Sequence, residues 1–140
     1  RQRARRLGPG AVADPRFDAA WLRAALRART QAIKPALMDQ RVVAGIGNIY
    51  AAEALWRARI DPRTRAGALG PRRLARLVAA VADTLAAALT EPGRQQDGEA
   101  LGRLHVYERA GAPCPRCAGP VRRIVQSGRS TYFCPRCQRS

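Results

Sequence analysis

Apolar residues recur every three or four positions through the first two thirds of the chain, a spacing typical of amphipathic helices. The pattern predicts a first helix after Asp18, which we expect to be its N-cap. A second, short helix is predicted over IKPALMDQ, where Pro35 is tolerated in the first turn. One face of the first helix is expected to hold Trp21, Leu22, Ala25 and Leu26.

Two further helices are predicted downstream. The segment NIYAAEALWRARI indicates a third helix, and DPRTRAGALGP is expected to be a loop. Pro71 opens the longest helix, which should end before Pro92. The expected buried stripe of the third helix is Ile49, Ala52, Leu55 and Trp56. In the fourth helix the residues that recur every three or four positions are Leu74, Leu77, Val78, Val81, Leu85 and Leu89.

The pattern changes after a polar connection rich in glycine, where the short segments LHVY, VRRIV and STYFC favour β-strands. We therefore divide the chain into a basic linker over 1–15, a helical domain over 16–92, a connection over 93–103 and a small β-hairpin module over 104–140. The expected fold class is mainly α with a small β-hairpin module. That module is shorter than the roughly 40 residues below which a chain usually needs a disulfide, a metal or a partner to fold.

Four cysteines in the last module have the spacing C-x2-C-x16-C-x2-C. The spacing predicts one Zn²⁺ held by Cys114, Cys117, Cys134 and Cys137, with a structural role because four protein ligands leave no open position. Two disulfides or unused thiols remain the alternative. We interpret His105 as an ordinary imidazole and not as a ligand.

The segment between the two cysteine pairs predicts a β-hairpin with Ser127 and Gly128 at its tip. Arg129 would then lie beside the turn. Spacing alone does not favour Arg129 over Arg122 or Arg123 as a functional residue.

A turn of small residues, AGIGN, separates the second and third helices. Gly45 and Gly47 permit unusual backbone conformations, and Asn48 occupies the position expected for an N-cap. Unpaired amides at a helix start, together with the helix dipole, form an anion site that suits a phosphate. Simple capping by the Asn48 side chain explains the same residues. Lys34 adds positive charge at the start of the neighbouring helix.

The 140-residue chain carries a net charge of +16 and has an isoelectric point near 11.6, which indicates a polyanionic partner and makes nucleic acid the first candidate. Part of the excess fits a general bias toward arginine, because Lys34 is the single lysine. No segment reaches the roughly 20 apolar residues that cross a membrane, so we expect no membrane partner. The cysteines are expected to lie in a reducing compartment.

Several segments resemble the carboxy-terminal half of bacterial formamidopyrimidine-DNA glycosylases, a family that includes endonuclease VIII. They are LGPGAV, IKPALMDQRVVAGIGNIYAAEALWRARIDP, VYERAGAPCPRC and GRSTYFCPRCQ. The resemblance implies a helix-two-turn-helix domain followed by a zinc finger, which together grip double-stranded DNA around an oxidised, flipped base. It implies DNA contacts at Lys34, Gly47, Asn48 and Arg129, and a role for Arg129 in the δ-elimination step of strand cleavage.

The resemblance also implies parts that this sequence does not contain. Family members use an amino-terminal proline as nucleophile, followed by a glutamate acid, whereas this chain begins Arg1-Gln2. We expect 1–15 to be the linker from a missing amino-terminal catalytic domain and 93–103 to be a shortened version of the loop that covers the base. Thr30 stands where the family often has a basic DNA-contacting residue. Little or no base excision is expected from the chain alone.

Three functional hypotheses follow. The first is the DNA-binding half of a base-excision-repair glycosylase and AP lyase acting on 8-oxoguanine and formamidopyrimidines. The second is a stand-alone DNA-binding module without catalysis, and the third is a zinc-ribbon module that binds proteins. Under the first hypothesis we expect a monomer in the bacterial cytoplasm, associated with the nucleoid.

Overall fold

A computed structural model describes residues 7–12, 14–89 and 104–140. The four predicted helices are confirmed as α1 (Ala19–Leu26), α2 (Ile33–Leu37), α3 (Asn48–Ala58) and α4 (Pro71–Leu89), with a short 3₁₀ turn at Ala66–Ala68 inside the predicted loop. The hairpin is confirmed as β1 (Arg122–Gln126) and β2 (Arg129–Phe133), an antiparallel pair. The predicted connection lies outside the described residues, and so does the start of the linker.

The helical core forms between α1, α3 and α4, with Leu22, Leu26 and Leu55 almost fully buried. As predicted, the Asp18 side chain caps α1 by accepting from the Trp21 amide at 2.8 Å. Trp21 remains 36% exposed, and its Nε1 donates to the Val42 oxygen at 2.7 Å. Ile49 is also only partly buried. The buried residues of α4 include Leu74, Leu77, Val81 and Leu85.

The AGIGN turn differs from its prediction in one respect. Gly45 has a φ of +99°, a conformation that favours glycine, but Gly47 has a φ of −105°, which other residues adopt readily. The helix α3 begins at Asn48, so Gly47 is the N-cap residue and no side chain caps the helix. The prediction of Asn48 as the N-cap is wrong because its side chain is bonded to other elements.

One predicted strand, LHVY, is a turn instead. The backbone amides of His105, Val106 and Tyr107 all donate to the carboxylate of Glu53 on α3, at 2.9 to 3.1 Å. Three successive amides that converge on one carboxylate cannot also alternate along a strand ladder. A side chain of α3 therefore decides the conformation of the segment that enters the last module.

The last module packs along α3. Val106, Val121 and the cysteines form a small second core with Ala52 and Trp56 of that helix. Arg139 pairs with the chain after α3, since the Asp61 amide donates to its oxygen at 3.0 Å. The buried side chain of Gln138 donates to the Ile60 oxygen at 2.9 Å. The module thus forms one body with the helical domain.

The described part of the predicted linker also packs on the helices. The Gly8 amide donates to the Gln40 oxygen at 2.8 Å, and the Ala11 amide donates to the Ala44 oxygen at 2.9 Å. This close packing requires a glycine at position 8, because a Cβ there would lie only 2.5 Å from the Arg41 main-chain oxygen. Within the described ranges, no helix combines the length and the apolar character needed to span a lipid bilayer.

Candidate functional site

The four cysteine sulfurs converge at one point. Their Sγ atoms all lie within 4.8 Å of one another, with Cys114 to Cys137 at 3.8 Å and Cys117 to Cys134 at 3.5 Å. A tetrahedral zinc with Zn–S bonds of about 2.3 Å requires S–S separations of roughly 3.8 Å, so the geometry fits the metal. A disulfide requires about 2.05 Å, and all four cysteines are free. The predicted ligand set is therefore brought together.

Backbone amides support two of these sulfurs. The Arg116 amide points at Cys114 Sγ and the Gly119 amide at Cys117 Sγ, each at 3.4 Å. Such bonds stabilise a thiolate, which is the form that binds zinc. With four protein ligands the centre has no open position for substrate, so bound zinc would act as a structural ion that holds the finger together.

A second cluster joins α2, α3 and the hairpin. Lys34 is only 1% exposed, and its Nζ donates to Asn48 Oδ1 and, at 2.9 Å, to Thr131 Oγ1. Asn48 Nδ2 donates in turn to the Ser130 oxygen at 3.1 Å. Burial, together with the charge of Arg129, lowers the pKa of Lys34 to about 8. The structure thus places the predicted side chains of Lys34, Asn48 and Arg129 close together.

The surface beside this cluster is open and positive. A shallow pocket of about 240 Å³ is lined by Lys34, Pro35, Met38, Gln126, Ser127 and Arg129, without a carboxylate among them. Ser127 and Gly128 form the hairpin tip with φ angles of 51° and 77°, so the exposed Arg129 follows directly after the turn. This geometry fits a two-residue hairpin loop with both φ angles positive.

The start of α3 faces the same cluster. The first intrahelical bond runs from the Ala51 amide to the Gly47 oxygen at 2.9 Å, so the amides of Asn48, Ile49 and Tyr50 precede the helical ladder. Nothing lies within 4 Å of the space that a Cβ on Gly47 would occupy. Helix-terminal amides with an open approach and neighbouring cations can bind an anion such as a phosphate.

Comparison with known proteins agrees with this geometry. Residues 7–97 match the family described as "Formamidopyrimidine-DNA glycosylase H2TH domain", and residues 111–139 match "Zinc finger found in FPG and IleRS". The chain belongs to the formamidopyrimidine-DNA glycosylase family. The resemblance inferred from the sequence is thereby confirmed, together with the fold of a helix-two-turn-helix domain followed by a zinc finger.

Two curated relatives illustrate the likeness. Formamidopyrimidine-DNA glycosylase of Bordetella parapertussis is 50% identical over 136 residues, which cover 90% of this chain and 50% of the relative. The corresponding protein of Paracoccus denitrificans is 50% identical over 144 residues, covering 94% of this chain and 50% of the relative. The chain spans about half the length of the curated relatives it matches.

Solved formamidopyrimidine-DNA glycosylase structures share the fold. The MutM (Fpg) protein of Thermus thermophilus superposes with a TM-score of 0.86 at 38% identity, over 95% of this chain and 54% of that one. Lactococcus lactis Fpg, solved with abasic-site DNA, superposes with a TM-score of 0.85 at 35% identity, over 94% of this chain and 51% of that one. MutM in complex with DNA containing carbocyclic 8-oxo-G superposes with a TM-score of 0.87 at 37% identity, over 96% of this chain and 51% of that one.

Within this formamidopyrimidine-DNA glycosylase fold, sequence reasoning missed the residues that join α3 to the finger. Glu53 is 2% exposed and also contacts His105 Nδ1 at 2.7 Å. Burial raises the pKa of Glu53, but hydrogen bonds from the His105 side chain and three backbone amides outweigh it and leave the pKa below its ordinary value. The available signal was a carboxylate in an apolar helix, which requires partners when buried.

Proposed function

We propose that this chain is the DNA-gripping half of a base-excision-repair glycosylase and AP lyase that acts on oxidised purines, namely 8-oxoguanine and formamidopyrimidines. One observation carries the proposal: Asn48, held by the buried Lys34 and by the Ser130 oxygen, lies at the start of α3 next to the open pocket that Arg129 lines. Solved relatives at 35% to 37% identity hold damaged DNA, which supports the same ligand here.

The residues of the cluster have different roles in the proposed phosphate site: some donate to the phosphate, and others orient the donors. Lys34 and the Ser130 oxygen fix the Asn48 amide, with Oδ1 turned toward the lysine. An amide nitrogen has two N–H groups, so one remains to donate to a phosphate oxygen. Arg129 and the first amides of α3 supply further donors. The near-complete burial of Lys34 supports an indirect role, in which it orients Asn48 and adds charge from beneath, in place of the direct contact expected from the resemblance.

We assign the base-excision chemistry to the half of the protein that the relatives have and residues 1–140 do not cover. Arg129, at the hairpin tip, would reach the phosphate next to the damaged nucleotide and assist δ-elimination by stabilising the leaving phosphate. A guanidinium suits this task because it stays charged and can form two parallel bonds to phosphate. The chain by itself is expected to bind DNA without cleaving it.

Fluorescence anisotropy with labelled duplexes tests the proposal. The chain should bind a duplex with one 8-oxoguanine, and log affinity should fall with log salt by about 0.9 for each phosphate contact. An affinity that did not change with salt concentration would contradict DNA binding through phosphates and would favour the protein-binding alternative. A denaturing gel of the same duplex should show no strand cleavage, and efficient cleavage would contradict the assignment of chemistry to the other half.

We also propose that residues 93–103 are a shortened version of the loop that covers the flipped base in the family. Residues 1–15 are proposed to link this half to the catalytic domain. We further propose that the protein acts as a monomer at the nucleoid in the bacterial cytoplasm, because chromosomal DNA is its target. Light scattering after size exclusion checks the first statement. A fluorescent fusion that failed to colocalise with the nucleoid would contradict the second.

A further inference from the structure

Trp56 of α3 lies against the cysteine cluster. The residue is 7% exposed, and its indole Nε1 donates to Cys114 Sγ at 3.3 Å. Cys114 is itself 2% exposed and also receives the Arg116 amide at 3.4 Å. The N–H group of Trp56 thus reaches this sulfur from outside the zinc finger.

Two side chains pack against the indole ring. The His105 ring stacks on one face at a centroid distance of 4.3 Å and an angle of 11°, while the Arg116 guanidinium lies 4.0 Å from the centroid on a cation–π contact. Both partners are anchored. His105 Nδ1 contacts Glu53 at 2.7 Å, and Arg116 Nη2 donates to the Trp56 oxygen at 2.7 Å. The ring has little freedom to turn its N–H away from the sulfur.

We propose that Trp56 is a positioning residue of the zinc centre, whose N–H···S bond retains Cys114 as a ligand. The inference rests on the assignment of zinc to the four cysteines. A hydrogen bond from a rigidly packed donor fixes the position and orientation of a coordinating sulfur, and loss of such outer-shell partners weakens metal binding. The bond also makes metal retention depend on α3, because the donor belongs to the helical domain.

Packing alone would not require the indole nitrogen, so Trp56→Phe separates the two roles. Phenylalanine keeps an aromatic ring for His105 and Arg116 to pack against but offers no N–H. Zinc transfer from the full 140-residue chain to a colorimetric chelator should become about tenfold faster or more, the lower end of what outer-shell partners of metal ligands contribute. Trp21→Phe is the matched control, since Trp21 bonds to Val42 in the helical domain, and its release rate should equal that of the unmodified chain.

Cobalt substitution gives a readout that packing does not mimic. In Trp56→Phe loaded with Co²⁺, the thiolate-to-metal charge-transfer band should move to lower energy, because the sulfur electrons lose the stabilising N–H. An unchanged release rate and an unchanged band would overturn the proposal, and so would failure of the unmodified chain to bind zinc. If Trp56→Phe does not fold, benzothienylalanine at this position keeps the indole shape without the N–H and serves the same comparison. Neither measurement involves DNA, so its outcome is independent of the proposed DNA grip.

Discussion

The side-chain amide of Asn48 donates to the main-chain oxygen of Ser130 at 3.1 Å, which ties the first turn of α3 to the finger hairpin. Lys34 strengthens the same junction by donating to Asn48 Oδ1 and to Thr131 Oγ1. The two parts of the proposed phosphate grip, the helix start and Arg129, are therefore fixed relative to each other before any DNA binds. Such preorganisation saves ordering entropy on binding.

Asn48→Asp should weaken binding to an 8-oxoguanine duplex by about tenfold or more, equivalent to roughly 1.4 kcal/mol. The variant keeps an acceptor for Lys34, but it loses the N–H donors and places a negative charge beside a phosphate. Folding should survive, because a carboxylate in the first turn of a helix is favourable. Anisotropy titration with circular dichroism checks both points. Gln31→Glu adds the same charge at an exposed position and should bind like the unmodified chain.

The affinity for DNA should fall as pH rises through about 8. Burial and the nearby Arg129 charge lower the pKa of Lys34 from 10.5 to about 8, so its positive charge is lost in that range. Stability should change in the opposite direction. Below pH 8 the folded state carries a disfavoured buried ammonium, and this cost is relieved as pH rises toward the unfolded value of 10.5.

Titrations at several pH values, in the unmodified chain and in Lys34→Met, measure the effect. The variant should bind more weakly near neutral pH and should lack the step near pH 8. A step of the same size in both proteins would show that another group is responsible.

Arg129→Ala should reduce the slope of log affinity against log salt by about 0.9, the value for one phosphate contact. The side chain is exposed and, in the described part of the chain, forms no ion pair, so its loss should leave the fold unchanged. Arg72→Ala removes another exposed guanidinium, from the first turn of α4, and is the matched control. Equal slopes for the two variants would show that Arg129 contributes only general charge.

Glu53→Gln should lower the free energy of unfolding by about 2 kcal/mol or more near neutral pH. The three backbone amides of the 105–107 turn all reach Glu53 Oε2, so an amide oxygen in its place can still accept from them. That oxygen carries no negative charge, and hydrogen bonds to an ionised acceptor are roughly twice as strong as neutral ones. Because the pKa of Glu53 is lowered, its contribution is present above the ordinary carboxyl range and is lost as pH falls below it. Urea unfolding provides the measurement. Glu108→Gln changes an exposed glutamate in the same segment and should be nearly neutral.

Cys134→Ser should abolish zinc binding and unfold the hairpin while most of the helical signal remains. Binding free energies of about 10–16 kcal/mol for structural zinc are large compared with what so small a core supplies. Metal analysis and far-ultraviolet circular dichroism test this, and the unmodified chain treated with a chelator should reach the same end state. A variant that retained stoichiometric zinc would contradict the four-cysteine site.

Local signals explain why much of the fold was predictable. The spacing of Leu74, Leu77, Val81 and Leu85 determines one face of α4 by itself, and the cysteine spacing determines the metal site because each pair forms a tight turn. Both features depend on neighbours within one element. The hairpin tip was equally local, since Ser127 and Gly128 tolerate the positive φ angles the turn requires.

Contacts between elements distant in sequence were not predictable. Lys34 was expected to add charge and to contact DNA, and the sequence did not indicate its partners Asn48 and Thr131, which lie 14 and 97 positions away. The LHVY segment had strand propensity, and Glu53, 52 positions before His105, overrides it. The hydrophobic periodicity of the sequence contains no information about such long-range contacts. The same reason explains why Asn48 was predicted to cap its own helix.

The finger contacts α3 at its start through Ser130, in its middle through Cys114 and His105, and beyond its end through Gln138 and Arg139. Asn48 and Glu53 bind main-chain groups of the finger, and Trp56 binds a cysteine sulfur. A chimaera that received residues 104–140 from another species would therefore keep these contacts wherever its backbone followed the same path, which makes the finger exchangeable as a unit.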